Sequence, residues 1–383
     1  MMKKDEQKIP DQCYKLRGQF FQLGYHYLLK PVLFWFDPEM IHDLFTVAGE
    51  KLGRYRLTRW LTATAFDYQH PMLEQTIRGL KFTNPVGLAA GFDKDARLTA
   101  ILPSVGFGFE EVGSITGRAC QGNPKPRLWR LPKSQSLIVN YGLKNTGAEA
   151  IAKKLTGQKF AYPLGISMAK TNSPETVEIN AGVEDYFKVY QTFLEAGIGD
   201  YFTINISCPN AFGGQPFTDP ARLDLLLAKL ATVPKTKPIF IKMPPDVTTE
   251  NIDAIIALAE KYQLDGFIST NLTKDNTHIR LHLKEELPTT KGGLSGKVIA
   301  PLALEQVRYL KSKVGDRFVI IACGGIFNAD DAYTYLQAGA SLLQLVTGLI
   351  FEGPQLISEI NRGLVERLKA GGLENISNLS SKI

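Results

Sequence analysis

The chain has 383 residues, 44% of them apolar and 21% charged, with a formal net charge of +6. That suits a soluble globular protein with one large α/β domain plus a smaller piece, or two ordinary domains. The small positive excess fits an anionic small ligand or an anionic lipid surface at least as well as a nucleic acid. The four cysteines, Cys13, Cys120, Cys208 and Cys323, are far apart and form no C-x-x-C pair, which disfavours a zinc site or a disulfide framework and points to a reducing compartment.

The start, MMKKDEQKIP, is polar and lacks an apolar signal-peptide core, so residues 1–13 read as a disordered tail. From Tyr14 to about Thr58 the character is helical and aromatic, with Phe20, Phe21, Tyr27, Phe34, Trp35 and Phe36 in a short span, and residues 14–70 read as one N-terminal region. Arg17, Lys30, Pro31 and Asp37 break this span well below the roughly 20 apolar residues that a bilayer crossing needs. Asp37-Pro38-Glu39 predicts a helix start, with Asp37 as N-cap and Pro38 in the first position. Amphipathic helices of this kind either lie on a membrane surface or pack on the main domain.

Residues 76–82 predict a hairpin, after which a new rhythm begins, and residues 71–370 read as one domain. Apolar strands at 86–89, 107–112, 164–168, 201–206, 239–243, 266–270, 318–322 and 342–346 alternate with helices at 93–102, 183–196, 219–230, 248–261, 301–313 and 329–338. Strands separated by crossover helices at this length predict a (β/α)8 barrel, a TIM barrel, behind a small N-terminal helical domain. An open doubly wound sheet would want G-x-G-x-x-G after its first strand, and Ala89-Ala90-Gly91-Phe92-Asp93-Lys94 does not supply it. Two excursions, 114–139 and 271–296, are long enough to cover or build a site. Residues 371–383 read as a flexible tail.

In a barrel the chemistry sits at the C-terminal strand ends. Those ends hold glycines, small hydroxyls, amides and lysines, with few carboxylates and no histidine cluster, so two-carboxylate glycosidase and Ser-His-Asp chemistry lack their parts. Gly292-Gly293, Gly324-Gly325 and Gly348 provide turns suited to a phosphate. Lys94 and Lys242 would need partners if buried. Cys208 stands between Asn205 and Asn210, and with Asn271 these amides suit a planar ligand that carries ring N–H and C=O groups.

The motifs AAGFDKD (89–95), NPKPRLWRLP (123–132), NISCPN (205–210), STN (269–271), GGLSG (292–296), CGGI (323–326) and TGLIFEGP (347–354) resemble those of the dihydroorotate dehydrogenases, flavin barrel enzymes of pyrimidine synthesis. The aromatic N-terminal helices resemble those of the membrane-associated, quinone-reducing class 2 enzymes, in which they form a quinone tunnel. The resemblance implies bound FMN, dihydroorotate and orotate as substrate and product, a quinone acceptor, and a peripheral position on the cytoplasmic face of a membrane.

It further implies that Cys208 is the base that takes a proton from C5 while hydride leaves C6. Lys94, Asn140, Gly142, Leu143, Asn205, Asn210 and Asn271 would hold the substrate. The flavin would be lined by Ala90, Gly91, Lys94, Ser114, Ser167, Asn205, Lys242, Thr270, Gly296, Gly325, Val346 and Thr347. The chain departs from the family pattern in four places. A cysteine at 208 is a class 1 feature, where class 2 members carry serine. Val139 holds the place of a substrate-binding asparagine unless Asn140 substitutes. Leu272 replaces a hydroxyl residue, and Ser167 replaces an asparagine. Another dihydropyrimidine-like substrate is the alternative within the same superfamily. An RNA-modifying flavin barrel would want an added RNA-binding domain and a basic patch, so no nucleic-acid partner is expected.

Overall fold

The computed structural model describes residues 11–207, 210, 212–214, 216–275 and 282–379. Its centre is a closed barrel of eight parallel strands, each paired with the next in sequence. They are β1 (Val86–Leu88), β2 (Phe109–Ile115), β3 (Leu164–Met168), β4 (Tyr201–Asn205), β5 (Ile239–Met243), β6 (Gly266–Ser269), β7 (Val319–Cys323) and β8 (Leu342–Leu345). Nearly every strand residue is buried, as expected when helices cover one face and a packed interior fills the other. The interior also holds polar groups: Thr203 Oγ1 and Gln344 Nε2 both donate to Glu111 Oε2 at 3.0 Å.

The helix expected over 93–102 does not form; only Leu102–Val105 is helical there. The buried Asp93 carboxylate accepts from the backbone N–H groups of Arg97 and Leu98 at 2.8 and 2.6 Å, offering the chain an alternative to a helical ladder. Ala96 follows with φ +52°, which is incompatible with a right-handed helix. The result is a compact loop that carries Lys94.

The two long excursions are one structure. Strands Leu128–Leu131 and Ser136–Val139 form an antiparallel hairpin, and Gly293–Gly296 adds to its second strand. Leu131, Ile138, Leu294, Val298, Ile299 and Leu302 pack beneath this small sheet. The pairing brings a segment from each excursion to the same side of the barrel mouth.

The N-terminal region contains α1 (Asp11–Gly24), a π-helical turn over Tyr25–Leu29, α2 (Lys30–Trp35), α3 (Pro38–Arg54) and α4 (Arg56–Phe66). Asp37 caps α3 as expected, its Oδ1 accepting from Met40 N at 2.8 Å. The helical character extends to Phe66, past the point where the sequence pattern fades. Tyr14 meets Tyr68 edge-on at 5.0 Å and Phe21 meets Phe66 at 4.8 Å, tying α1 to the end of α4 and the chain just beyond it. Of the disordered tail expected over 1–13, residues 11–13 instead begin α1, and residues 1–10 lie outside the described residues. In the stretch read as a flexible C-terminal tail, residues 371–379 instead pack, burying Leu373, Ile376 and Leu379.

Candidate functional site

One cavity opens at the C-terminal ends of the strands, bounded by the barrel rim, the small sheet and the loop after Val139. It is lined by Ala90, Gly91, Lys94, Ser114, Gly142, Leu143, Asn205, Asn210, Lys242, Thr270, Asn271, Gly296, Gly325, Val346 and Thr347, so fifteen of the expected site residues share one space. Cys208 lies outside the described residues.

Two expected residues stand behind the lining. Asn140 does not face the cavity: its backbone O and Oδ1 accept from Asn123 Nδ2 at 3.1 and 3.0 Å, and Val139 takes the lining position. In an alternating strand a single step turns a side chain to the other face, so Asn140 cannot substitute without a register change. Ser167 is fully buried, its Oγ 2.8 Å from Ser114 Oγ, and Ser114 presents the polar atom to the cavity.

At one end, below Gly296 and Gly325, the wall is backbone. A Cβ on Gly325 would lie 2.4 Å from Ala300 Cβ, and one on Gly296 would lie 2.6 Å from Gln135 O. Both glycines have positive φ, +70° and +97°. Only glycine fits such close approach. Ser295 Oγ sits 3.0 Å from Thr347 Oγ1 beside them. Lys242, 3% exposed, lines the same wall, and among the described residues no hydrogen bond or ion pair reaches its ammonium. A buried cation with no protein partner suits a ligand that is anionic or becomes so. The glycine cradle and the unpaired ammonium therefore fit a phosphate-bearing flavin.

At the opposite end the wall is side chains. Asn205 Nδ2 donates to Ser114 Oγ at 2.7 Å, Asn271 Nδ2 to Asn205 Oδ1 at 3.2 Å and to Ser207 Oγ at 2.7 Å, and Asn210 Nδ2 to the Val139 carbonyl at 2.7 Å. The Lys94 ammonium rests 3.9 Å above the Tyr141 ring and 3.4 Å from His42 Nε2. Burial pushes its pKa down to about 8, with Lys144 adding to the shift and Asp43, Glu39 and Asp95 opposing it. Lys144, Val139 and Leu272 complete this end.

Sequence reasoning missed Tyr141, Lys144, Ser295 and Cys323 in the lining and Asn123 and His42 just outside it. Asn123 lies within the NPKPRLWRLP motif, which was a usable signal. His42 comes from the N-terminal helices and carried none. The Cys323 thiol is raised by burial, with Lys242 working against the rise.

The dihydroorotate dehydrogenase family profile matches residues 72–368. The chain belongs to this family. Its fold and cavity agree with that membership, and the family is flavin-dependent. The chain is 36% identical over 350 residues to the dihydroorotate dehydrogenase (quinone) of Gloeobacter violaceus, covering 91% of this chain and 96% of that one. It is 39% identical over 358 residues to the protein so named in Synechocystis sp., covering 89% and 92%. A ligand-free crystal structure of the Eimeria tenella family member superposes with a TM-score of 0.77 at 28% identity, covering 90% of this chain and 98% of that chain.

Proposed function

We propose that the chain oxidises dihydroorotate to orotate in pyrimidine synthesis, with FMN as its flavin and a quinone as electron acceptor. The observation that carries this reading is that a single cavity is lined both by a glycine cradle beside an unpaired lysine and by an amide-and-lysine grip. Bound in the cradle, FMN supplies a two-electron acceptor. Gly296, Gly325 and Thr347 would hold its phosphate, and the buried Lys242 ammonium would offset the negative charge that the ring gains on reduction. Asn205, Asn210 and Asn271 orient the pyrimidine, and Lys94 with Lys144 favours a substrate that carries a carboxylate. Cys208 takes the C5 proton; a thiol has an ordinary pKa near 8.5, so a useful thiolate fraction is within reach near neutrality.

The test is an anaerobic absorbance spectrum of the purified protein. Expected are bound flavin and its bleaching by dihydroorotate, then reoxidation by a quinone analogue. Bound flavin that dihydroorotate leaves oxidised would overturn the substrate assignment. A second reading, a related dihydropyrimidine as substrate, is favoured by the apolar Val139 and Leu272 in the lining. Bleaching by such a compound in preference to dihydroorotate would select it.

The N-terminal helices supply the membrane side of the proposal. No helix among the described residues is long and apolar enough to cross a membrane. Yet Phe20, Tyr27, Trp35 and Trp60 are 72, 75, 84 and 62% exposed, and contiguous apolar surface of this kind marks an interaction face. It fits peripheral binding to a bilayer on its cytoplasmic face, where a hydrophobic quinone is dissolved. Trp35→Glu with Trp60→Glu should abolish co-sedimentation with lipid vesicles while leaving turnover with a soluble dye intact. Vesicle binding equal to that of the unaltered protein would remove the membrane from this reading.

A further inference from the structure

Helix α3 is amphipathic the wrong way round for a helix that merely packs on a barrel. Met40, Leu44, Phe45 and Leu52 are exposed, whereas Glu39 and Thr46 are buried and His42 is nearly so. A packing helix turns its apolar stripe inward. Here the polar stripe faces the barrel mouth, where burying a carboxylate is costly unless it is fully paired.

The buried groups make two contacts with the substrate end. In the first, His42 Nε2 lies 2.8 Å from the Phe92 carbonyl and 3.4 Å from Lys94 Nζ. Burial and the Lys94 charge lower the His42 pKa, against the Asp43 carboxylate 3.3 Å from Nδ1; a carbonyl only accepts, so it is the Nε2–H that donates to Phe92 O. That bond pins the loop at the residue two before Lys94.

In the second, Glu39 binds Arg127 through two oxygens, Nε at 3.0 Å and an NH2 nitrogen at 2.7 Å. The other Arg127 nitrogen donates to the Gln121 and Asn123 carbonyls, both at 2.8 Å. Asn123 Nδ2 in turn donates to the Asn210 carbonyl at 3.0 Å as well as to Asn140, and Asn172 Nδ2 holds Asn123 Oδ1 at 3.0 Å. Tyr141 stands between the two contacts, with Lys94 Nζ 3.9 Å and Arg127 Cζ 5.2 Å from its ring centre.

We propose that α3 positions the substrate grip, with His42 seating Lys94 and the Glu39–Arg127–Asn123 chain seating Asn210. His42 and Asn123 are positioning residues, and the helix that joins the exposed apolar face to the barrel thereby aligns the groups that hold the substrate. This rests on the dihydroorotate reading for the identity of the ligand, though not for the positioning itself.

The test uses the flavin-loaded protein with Asn123→Ala, His42→Ala and His42→Gln, read by hydrogen exchange, orotate calorimetry and anaerobic flavin reduction. Asn123→Ala should speed exchange in peptides covering 205–214 and leave 90–95 unchanged; His42→Ala should do the reverse. Each should weaken orotate binding about tenfold, the effect of one lost buried hydrogen bond. His42→Gln, whose amide N–H reaches Phe92 O, should restore most of it. Flavin content and reoxidation by a soluble dye should not change.

Exchange at both segments equal to the unaltered protein would overturn the proposal. So would uniform loosening with loss of flavin, which marks a merely structural role. If the unaltered protein binds no orotate, the substrate reading fails, and the exchange patterns still decide whether α3 positions these segments.

Discussion

The two ends of the cavity are built from different materials. The end proposed for the flavin is backbone: glycines in conformations that exclude side chains, set on strand ends that the barrel holds rigidly. The end proposed for the substrate is a side-chain network drawn from four loops and, through His42, from a helix outside the barrel. Backbone cradles accept any ligand with the right phosphate, so specificity falls to the side-chain end. The departures from the family pattern that face the cavity, Val139 and Leu272, lie at that end.

The sharpest way to separate the two ends is Cys208→Ala. Flavin should bind as before, while its reduction by dihydroorotate slows by about a hundred- to ten-thousandfold, the usual share of a general base. An unchanged rate in stopped-flow absorbance would remove Cys208 as the base. Gly325→Val should act at the other end. Its branches meet Ala300 where even a Cβ lies 2.4 Å away, at φ +70°. Flavin affinity should fall at least about tenfold, measured as flavin retained after gel filtration, with the chain still folded by circular dichroism. Full retention would mean that the cradle is not where the phosphate sits.

A smaller effect comes from pH. Lys94, held near 8 by burial, is an ammonium below that pH and neutral above it. Orotate affinity should be level up to about pH 8 and then fall by up to roughly tenfold per unit as the charge is lost. A calorimetric profile that stays flat to pH 9.5 would take Lys94 out of carboxylate binding. The sign for stability is opposite. A lysine lowered from 10.5 costs the fold stability while charged, and the cost fades as pH climbs from about 8 toward 10.5.

Much of this was legible before any coordinates. Every barrel strand lies within a few residues of its expected place, because buried parallel strands write themselves as short apolar runs between turn residues. Most of the strand-end residues proposed as ligands do converge. Asn140 and Val139 show where reading stopped: adjacent in sequence, they differ in facing, and only strand register decides which one lines the cavity. The loop at 93–98 shows another limit. Its composition permits a helix, and the Asp93 carboxylate chose otherwise by taking two backbone donors.

The sequence by itself determined the barrel, the glycine cradle and the set of amides and lysines, because these depend on local pattern and on residues with a single conformational use. Only the tertiary structure decided that 114–139 and 271–296 form one sheet, that α3 turns its charges inward, and that His42 and Asn123 reach the grip. Those contacts join residues 17 to 160 positions apart, and no local preference encodes a partner at that distance. They exist because a buried charge or amide must find its complement wherever the closed barrel happens to place one.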